Sequence, residues 1–172
     1  MILLRRMLTP AAAALTIACG GDGADRFAPM AVGAPVAEYS VRTMPDGVAA
    51  VGGASNPITL VNIWATWCAP CEREFPELQR LHTEYGPRGL RVLAVSIDRS
   101  SDDRVQAFVD ERGATFEIGR DPEGVVQTAF MTIGVPETFL VDADGILRWR
   151  KLGELPAGDA GLIAALEEVL DP

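Results

Sequence analysis

The sequence is poor in the residues that bind metals and nucleic acids. Its 172 residues include three cysteines and one histidine, and 15 basic residues are outnumbered by 24 acidic ones, which gives a formal net charge of −9. A surface of this charge repels phosphate backbones, so nucleic acid is not expected as a partner. The apolar fraction of 48% is ordinary, and a chain of this length buries a core without needing disulfide bonds to hold it together.

Internal repeats and long apolar runs are also missing. The main apolar stretch, from Met7 to Ala18, is shorter than the roughly 20 residues that a membrane-spanning helix needs. Because Arg5 and Arg6 precede it and small residues follow, the pattern predicts a secretory signal peptide over residues 1–18. A buried N-terminal helix is the alternative, but the stretch is apolar all round and runs into a glycine-rich segment.

Cys19 follows this stretch and leaves an odd number of cysteines. The segment resembles a bacterial lipoprotein signal, in which the cysteine at the cleavage point becomes the lipidated N-terminus. Ala18 fits that pattern, whereas Thr16 stands where a leucine is usual; in the alternative, ordinary cleavage removes Cys19 or leaves it free. Residues 19–34 are rich in Gly, Ala and Pro without a period and are predicted to be a flexible tether, which leaves 35–172 as one domain.

The hydrophobic pattern of that domain predicts alternating strands and helices. Two apolar runs, 58–65 and 90–98, are typical of buried strands, and residues 69–85 carry apolar side chains at helical spacing. The full predicted order is a strand pair turned at 45–47, strand 58–65, helix 69–85, strand 90–98, a helix capped by Ser100 or Ser101 and ended at Gly113, a short strand at 115–121, a short helix at 123–130, two strands around a turn at Gly145, and a helix at about 157–170. Parallel strands followed by a late hairpin predict an α/β sandwich with a mixed sheet.

Two of the cysteines stand three residues apart where a predicted strand gives way to a predicted helix. Cys68 lies at the start of the helix, whose free N–H groups and partial positive charge favour a thiolate and lower its pKa. Cys71, one turn further on, is expected to be more buried and less easily ionised. This asymmetry predicts Cys68 as the attacking nucleophile and Cys71 as the resolving thiol of a redox disulfide, with Pro70 stiffening the turn between them.

The motif WATWCAPC, followed by Pro76 and later by GVPETFLVDADG, resembles the thioredoxin superfamily. Within it, the chain is similar to the membrane-tethered, extracytoplasmic thiol-disulfide oxidoreductases of the ResA and TlpA type, over about residues 35 to 170. The resemblance implies a thioredoxin-like three-layer sandwich, with a mixed central sheet, flanking helices and an N-terminal strand extension. It also implies a catalytic role for the cysteine pair.

The resemblance further implies which residues meet the substrate. Val135 and Pro136 match the family's cis-proline loop, which lies against the disulfide and offers the Val135 backbone to a substrate strand. Trp67 matches the aromatic residue at the rim of the active site. Together with Pro70, these residues are the predicted substrate-binding set.

A buried proton acceptor is the remaining catalytic prediction. Asn62 stands where cytoplasmic thioredoxins have a buried aspartate beneath the cysteines, and a neutral amide cannot take a proton from the resolving thiol. Glu74 lies one helical turn beyond Cys71 on the same face, and a glutamate at this spacing plays that part in the ResA-like group. We therefore expect Glu74 to be buried, with a raised pKa, and to shuttle the proton. The alternative is an exposed helix glutamate like Glu72.

Metal binding is one alternative for the cysteine pair. A structural zinc ion takes about four ligands, of which Cys68 and Cys71 could supply two, and the chain has no second cluster of cysteine or histidine. His82 is expected on the outer part of the same helix, as a surface residue. Asp142 and Asp144 could contribute to a calcium site, but the sequence shows too few further ligands. No metal site is predicted.

A structural disulfide and a peroxidase are two further alternatives. A bridge that closes so short a loop constrains the unfolded chain little, and its place at a strand-to-helix corner favours chemistry. A peroxidase would need a threonine shortly before a peroxidatic cysteine. Thr66 lies two residues before Cys68, but the Cys-x-x-Cys pair is not that family's arrangement.

These observations predict an exported thiol-disulfide oxidoreductase, in the periplasm or on the extracytoplasmic face of the membrane and lipid-anchored through Cys19. The resemblance favours a reductant whose substrates would be protein disulfides and thiols, for example apocytochrome c thiols that must stay reduced for haem attachment. No organic cofactor or metal is needed, and electrons would come from a membrane reductase or another thiol protein. A disulfide-forming oxidase or isomerase of the same fold is the alternative, followed by a binding module without turnover.

Overall fold

The computed structural model describes residues 29–54 and 56–171. The predicted signal peptide, residues 1–18, and Cys19 lie outside the described residues, as does most of the predicted tether. Within the described ranges, no helix is both long enough and apolar enough to cross a membrane.

Seven strands and four helices follow one another along the described chain. They are β1 Tyr39–Thr43, β2 Gly47–Val51, β3 Thr59–Trp64, α1 Ala69–Tyr85, β4 Arg91–Ser96, α2 Asp102–Glu111, β5 Glu117–Arg120, α3 Val125–Ala129, β6 Glu137–Val141, β7 Leu147–Leu152 and α4 Ala160–Leu170, with a 3-10 turn at Gly86–Arg88 after α1. This order confirms the predicted sequence of elements.

All seven strands form one sheet in the order β2-β1-β5-β4-β3-β6-β7. Strands β3, β4 and β5 are parallel, whereas β6 runs antiparallel to β3 and forms a hairpin with β7. The N-terminal hairpin of β1 and β2 joins the other side of the sheet through an antiparallel pairing of β1 with β5. The prediction of a mixed sheet with an N-terminal strand extension is therefore confirmed.

The sheet lies between two apolar layers because its central strands are covered on both faces. All six residues of β3 and five of the six residues of β4 are buried, as their apolar runs predict. Along β3 the side chains alternate: Leu60 and Trp64 join a cluster with α1, α2 and α4, whereas Val61 and Ile63 join a second cluster that includes residues of α3. By the same alternation Asn62 faces α1.

Two of the helices begin later than predicted, for local reasons. Helix α4 starts at Ala160 because Asp159 is its cap: an Asp159 carboxylate oxygen accepts the Leu162 N–H at 3.0 Å, and Gly158 just before it has a φ of +68°. Helix α3 starts at Val125 because Gly124 holds a left-handed conformation, which ends the preceding turn rather than extending a helix.

The end of the predicted tether is part of the folded domain. The Gly33 N–H donates to the Leu147 carbonyl at 2.8 Å, and the Leu147 N–H donates to the Ala34 carbonyl at 3.0 Å. Pro35 forms an isolated bridge with Ile146. Residues 33 to 35 therefore run along the outer edge of β7, so that the last residues of the predicted tether, 33 and 34, are held by the sheet.

Candidate redox-active site

Cys68 and Cys71 form a disulfide at the point where β3 leads into α1. Their sulfurs are 2.08 Å apart and their Cα atoms 5.3 Å apart. Cys68 is the N-cap of α1, and its Sγ accepts the Cys71 N–H at 3.3 Å. Cys71 has no exposed surface, whereas Cys68 is 5% exposed. The predicted order of burial is therefore correct, and a backbone N–H already points at the sulfur predicted to be the nucleophile.

The predicted substrate-binding residues lie in the segments on either side of Cys68 and at the start of β6. Trp67 is 69% exposed, and Pro70 lies in the first turn of α1, where the missing N–H removes no helical hydrogen bond. The bond between Val135 and Pro136 is cis, as predicted. Since Ile63 of β3 pairs with Glu137 of β6, Pro136 lies beside the end of β3 that leads to Cys68.

Glu74 lies in the second turn of α1 and is buried. It is 1% exposed, and its two carboxylate oxygens accept the Asn62 Nδ2–H at 2.7 Å and the Leu155 N–H at 2.8 Å. Burial raises the pKa of Glu74 to about 7, against the opposing effect of these two hydrogen bonds. The alternative of an exposed helix glutamate is therefore wrong for Glu74.

Asn62 connects this carboxylate to the sheet. Its Nδ2 donates to Glu74 and also to the Thr138 hydroxyl, at 3.0 Å. Because a carboxylate requires a donor, the contact with Glu74 determines which way the amide is turned. The Asn62 Oδ1 is buried and has no hydrogen-bond partner among the described residues. The neutral amide of Asn62 thus positions the carboxylate of Glu74.

A second buried glutamate on α1 was not predicted. Glu77 is 6% exposed and accepts hydrogen bonds from Arg80 and from the Gly158 N–H. Burial acts to raise its pKa, but these partners outweigh burial and hold the pKa of Glu77 below its ordinary value. The pKa values of these two buried glutamates, one turn apart, are therefore shifted in opposite directions. Of the two, only Glu74 has a pKa near neutral pH and can exchange a proton there.

The turn that carries Trp67 and Cys68 is held by a buried aspartate that was also not predicted. Asp98 is 2% exposed. Its carboxylate accepts the Thr66 N–H at 2.8 Å, the Thr66 hydroxyl at 2.6 Å and the Ser96 hydroxyl at 2.8 Å. Thr66 follows β3 and Asp98 follows β4, so the contact arises where two parallel strands end side by side. This engagement of the Thr66 hydroxyl gives no support to the peroxidase alternative.

Replacing Asp98 with alanine is expected to lower the free energy of unfolding by about 2–4 kcal/mol, because the buried Ser96 hydroxyl and two partly buried donors of Thr66 lose their acceptor. Urea denaturation of the oxidised protein measures the change. Asp103→Ala is the matched control, since Asp103 is exposed in the first turn of α2 and should cost no more than about 1 kcal/mol. Equal effects of the two substitutions would show that the Asp98 contacts do not stabilise the turn.

The residues considered for metal binding make other contacts within the fold. His82 is only partly exposed, with its ring 6.4 Å from that of Phe116, so its prediction as a surface residue is only partly correct: it packs beside the core. Asp142 uses one carboxylate oxygen to accept the N–H groups of Asp144 and Ile146 and pairs with an arginine through the other. Among the residues that the structure describes, no group of three or more His, Cys, Asp or Glu could hold a metal ion.

The fold and the disulfide at the start of α1 define a thioredoxin-like protein with a Cys-x-x-Cys site. The solved structures agree: a Chlorobium tepidum protein assigned as thiol:disulfide interchange protein DsbE superposes with a TM-score of 0.68 at 26% sequence identity, covering 80% of this chain and 99% of that one. The model of the AhpC/TSA family matches residues 47–150. The chain belongs to the AhpC/TSA family.

Curated relatives support the resemblance to the ResA and TlpA type. The chain is 36% identical to thiol-disulfide oxidoreductase ResA of Oceanobacillus iheyensis over 86 residues, which are 50% of this chain and 44% of the relative. It is 34% identical to thiol:disulfide interchange protein CycY of Rhizobium leguminosarum bv. viciae over 118 residues, 66% of this chain and 60% of that protein. The chain thus matches about half the length of these relatives.

Proposed function

We propose that the protein is a thiol-disulfide oxidoreductase that exchanges disulfides with protein substrates through Cys68 and Cys71. The observation that carries this proposal is the position of the pair: a disulfide at the N-terminus of α1, beside an exposed tryptophan and in front of a buried carboxylate with a raised pKa. The names of ResA and CycY supply the reaction class. Neither a metal nor an organic cofactor is required for this chemistry.

The proposed cycle begins with the reduced pair. The N-terminus of α1 and the Cys71 N–H stabilise the Cys68 thiolate, which attacks one sulfur of a substrate disulfide and releases the other as a thiolate. A mixed disulfide then joins Cys68 to the substrate. Cys71 gives its proton to Glu74 and attacks the Cys68 sulfur, which releases the second substrate thiolate and restores the disulfide of the enzyme.

The substrate is proposed to lie across the surface formed by Trp67, Pro70 and the loop of Val135 and Pro136. Trp67 offers an exposed aromatic face, and the loop offers the backbone of Val135 to an extended segment. The position of Pro136 beside the end of β3 supports this arrangement. Alternate side chains of the substrate would then point toward and away from the enzyme.

In the cell, we propose a reductant in the extracytoplasmic compartment. Removal of residues 1–18 would leave Cys19 as a lipidated N-terminus, and residues 20 to about 29 would tether the domain to the membrane. Its substrates would include protein disulfides such as those of apocytochrome c. Electrons would reach the pair from a membrane reductase or another thiol protein. The resemblance to ResA and CycY supports this direction of electron flow.

The reduction potential of the Cys68–Cys71 couple tests the proposal. Equilibration with glutathione and dithiothreitol buffers is expected to give one reversible two-electron couple, nearer to the roughly −270 mV of thioredoxin than to the roughly −120 mV of strong oxidants. A value near the oxidants would reverse the direction and support a disulfide-forming enzyme. If no reversible couple is found, the oxidoreductase function itself is wrong and a binding module without turnover remains.

A further inference from the structure

A cavity of about 510 Å³ opens beside the redox site, at the ends of the three parallel strands. It is bounded by the loop after β3, with Thr66 and Trp67, by the loop after β4, and by the segment between β5 and α3. Ligands of open α/β sheets bind in crevices outside the carboxyl ends of the strands. Since Trp67 lies next to Cys68 in sequence and forms one wall, a group bound in this cavity would belong to a substrate whose sulfur reaches Cys68.

The cavity is lined by two arginines, Arg99 and Arg104, that have no partner in the described part of the chain. Neither side chain makes an ion pair or a hydrogen bond there, although the protein carries an excess of acidic residues. The other arginines of the described ranges are all engaged: Arg91 donates to Thr59 and to the Ala50 carbonyl, and ion pairs are formed by Arg42, Arg73, Arg80, Arg88, Arg112, Arg120, Arg148 and Arg150. Among the described residues, the two arginine side chains without an ion pair or hydrogen bond thus line the same cavity.

The acidic residues around the cavity form no ion pair with Arg99 or Arg104. Asp98 lines the cavity, but its carboxylate is buried and occupied by Thr66 and Ser96. Glu123 lines it and is exposed, and Glu111 lines a smaller neighbouring cavity together with Arg104; neither makes an ion pair with Arg99 or Arg104. The cavity lining therefore holds two arginines and two carboxylates, of which only Glu123 is exposed.

Neutral groups complete the lining. Gln127 contributes an amide. Trp67 adds a large apolar wall. Guanidinium groups and an aromatic wall suit a side chain that ends in a carboxylate and has an apolar stem.

We infer that this cavity is a subsite for an acidic side chain of the substrate, on a residue close to the cysteine that Cys68 attacks. The inference rests on the proposed oxidoreductase function and narrows its substrate class. It also runs against the overall charge of the protein, because a net charge of −9 repels acidic peptides at long range and attracts basic ones. A preference for acidic substrates can therefore arise only from a local site.

Three peptide disulfides test this subsite. They are the symmetrical dimers of acetyl-X-Cys-X-amide in which X is glutamate, glutamine or lysine, so that attack on either sulfur is equivalent. Each reaction converts one reduced enzyme and one dimer into the Cys68–Cys71 disulfide and two peptide thiols. Second-order rate constants at low salt are expected to be about fivefold higher for the glutamate dimer than for the glutamine dimer, with the lysine dimer slowest. The preference should shrink at 0.5 M salt, because exposed charges are screened.

Matched double variants decide whether the two arginines are responsible. Arg99→Gln/Arg104→Gln is expected to lower the ratio of the glutamate to the glutamine rate constant to one or below. Arg88→Gln/Arg148→Gln removes the same charge from exposed positions outside the cavity and should keep the ratio above three. A ratio that is unchanged in the first variant, or a wild type that prefers lysine, overturns the subsite. If no dimer reacts at all, the proposed oxidoreductase function fails, and the subsite with it.

Discussion

Replacing Cys71 with serine is expected to stop turnover and to leave the substrate attached to Cys68 as a stable mixed disulfide. Cys68 is the cap of α1, and its sulfur already accepts the Cys71 N–H, so the first attack does not depend on the Cys71 thiol. The second attack has no other sulfur to perform it, because Cys19 is the only further cysteine and lies far away in sequence. Turnover should fall by a factor on the order of 10³ or more.

The trapped species is measured by mass spectrometry of the protein after a single addition of a peptide disulfide. All variants are best made in a Cys19→Ser background, so that only the two site thiols can react. Cys68→Ser is the control: it should lose turnover to the same extent but trap nothing, because the buried Cys71 is not accessible to the substrate. Trapping on Cys71 in the Cys68→Ser protein would reverse the assigned roles. Full turnover by Cys71→Ser would rule out the two-step mechanism.

Replacing Glu74 with glutamine is expected to slow the second step and to remove its dependence on pH near neutrality. The pKa of Glu74 is raised to about 7 by burial, so the carboxylate that accepts the Cys71 proton becomes available as the pH rises through 7. Glutamine keeps the shape but cannot accept the proton. Loss of a positioned base costs about 10²-fold or more. The wild-type rate of release from the mixed disulfide should therefore rise between pH 6 and 8, and the variant should lack this rise.

Stopped-flow measurement of thiol release over pH 5.5 to 9 follows this step. Glu77→Gln is the matched control, because Glu77 is also buried on α1 but its pKa is held below the ordinary value by Arg80 and the Gly158 N–H. That variant should keep the rise near pH 7 even if it is less stable. A Glu74→Gln protein with an unchanged pH profile would show that the Cys71 proton goes elsewhere.

The pH dependence of protein stability measures the pKa of Glu74 independently of the kinetics. A folded-state pKa of about 7 lies above the ordinary value of 4.5, so the folded protein holds a proton that the unfolded chain has released. Its contribution to stability is complete below about pH 4.5 and is lost as the pH rises through 7. Between pH 5 and 8, the free energy of unfolding of the wild type should therefore fall relative to Glu74→Gln, by about 2–3 kcal/mol. A constant difference would mean that the pKa of Glu74 is not raised.

The sequence was sufficient for those parts of the site that lie close together along the chain. The cysteines, the cap at Cys68 and the glutamate one turn later are local features of one strand and one helix, and the proline of the cis bond stands out by its own motif. The central strands were predictable because β3 and β4 are buried almost throughout and so carry mainly apolar residues.

The hydrogen bonds that position the site residues could not be predicted from the sequence, because they join segments that are distant along the chain. The Leu155 N–H, which holds one oxygen of Glu74, is 81 residues away in sequence, and a backbone donor has no residue type to reveal it. The hydrogen bonds from Thr66 to Asp98 form because β3 and β4 are paired parallel strands that end side by side. Asn62 could be assigned to the α1 face from the alternation along its strand, but not to its hydrogen bond with Glu74.

The free edges of the two outer strands, β2 and β7, are covered to different degrees. The start of β7 is covered by residues 33 to 35 through hydrogen bonds to Leu147, whereas no described strand lies beyond β2, which is five residues long with Val48 largely exposed. An uncovered strand edge is a template for pairing with another chain. Self-association in concentrated solution would therefore begin at β2. Since β2 is separated from β3 by three strands, particles assembled in this way would still have their disulfides accessible.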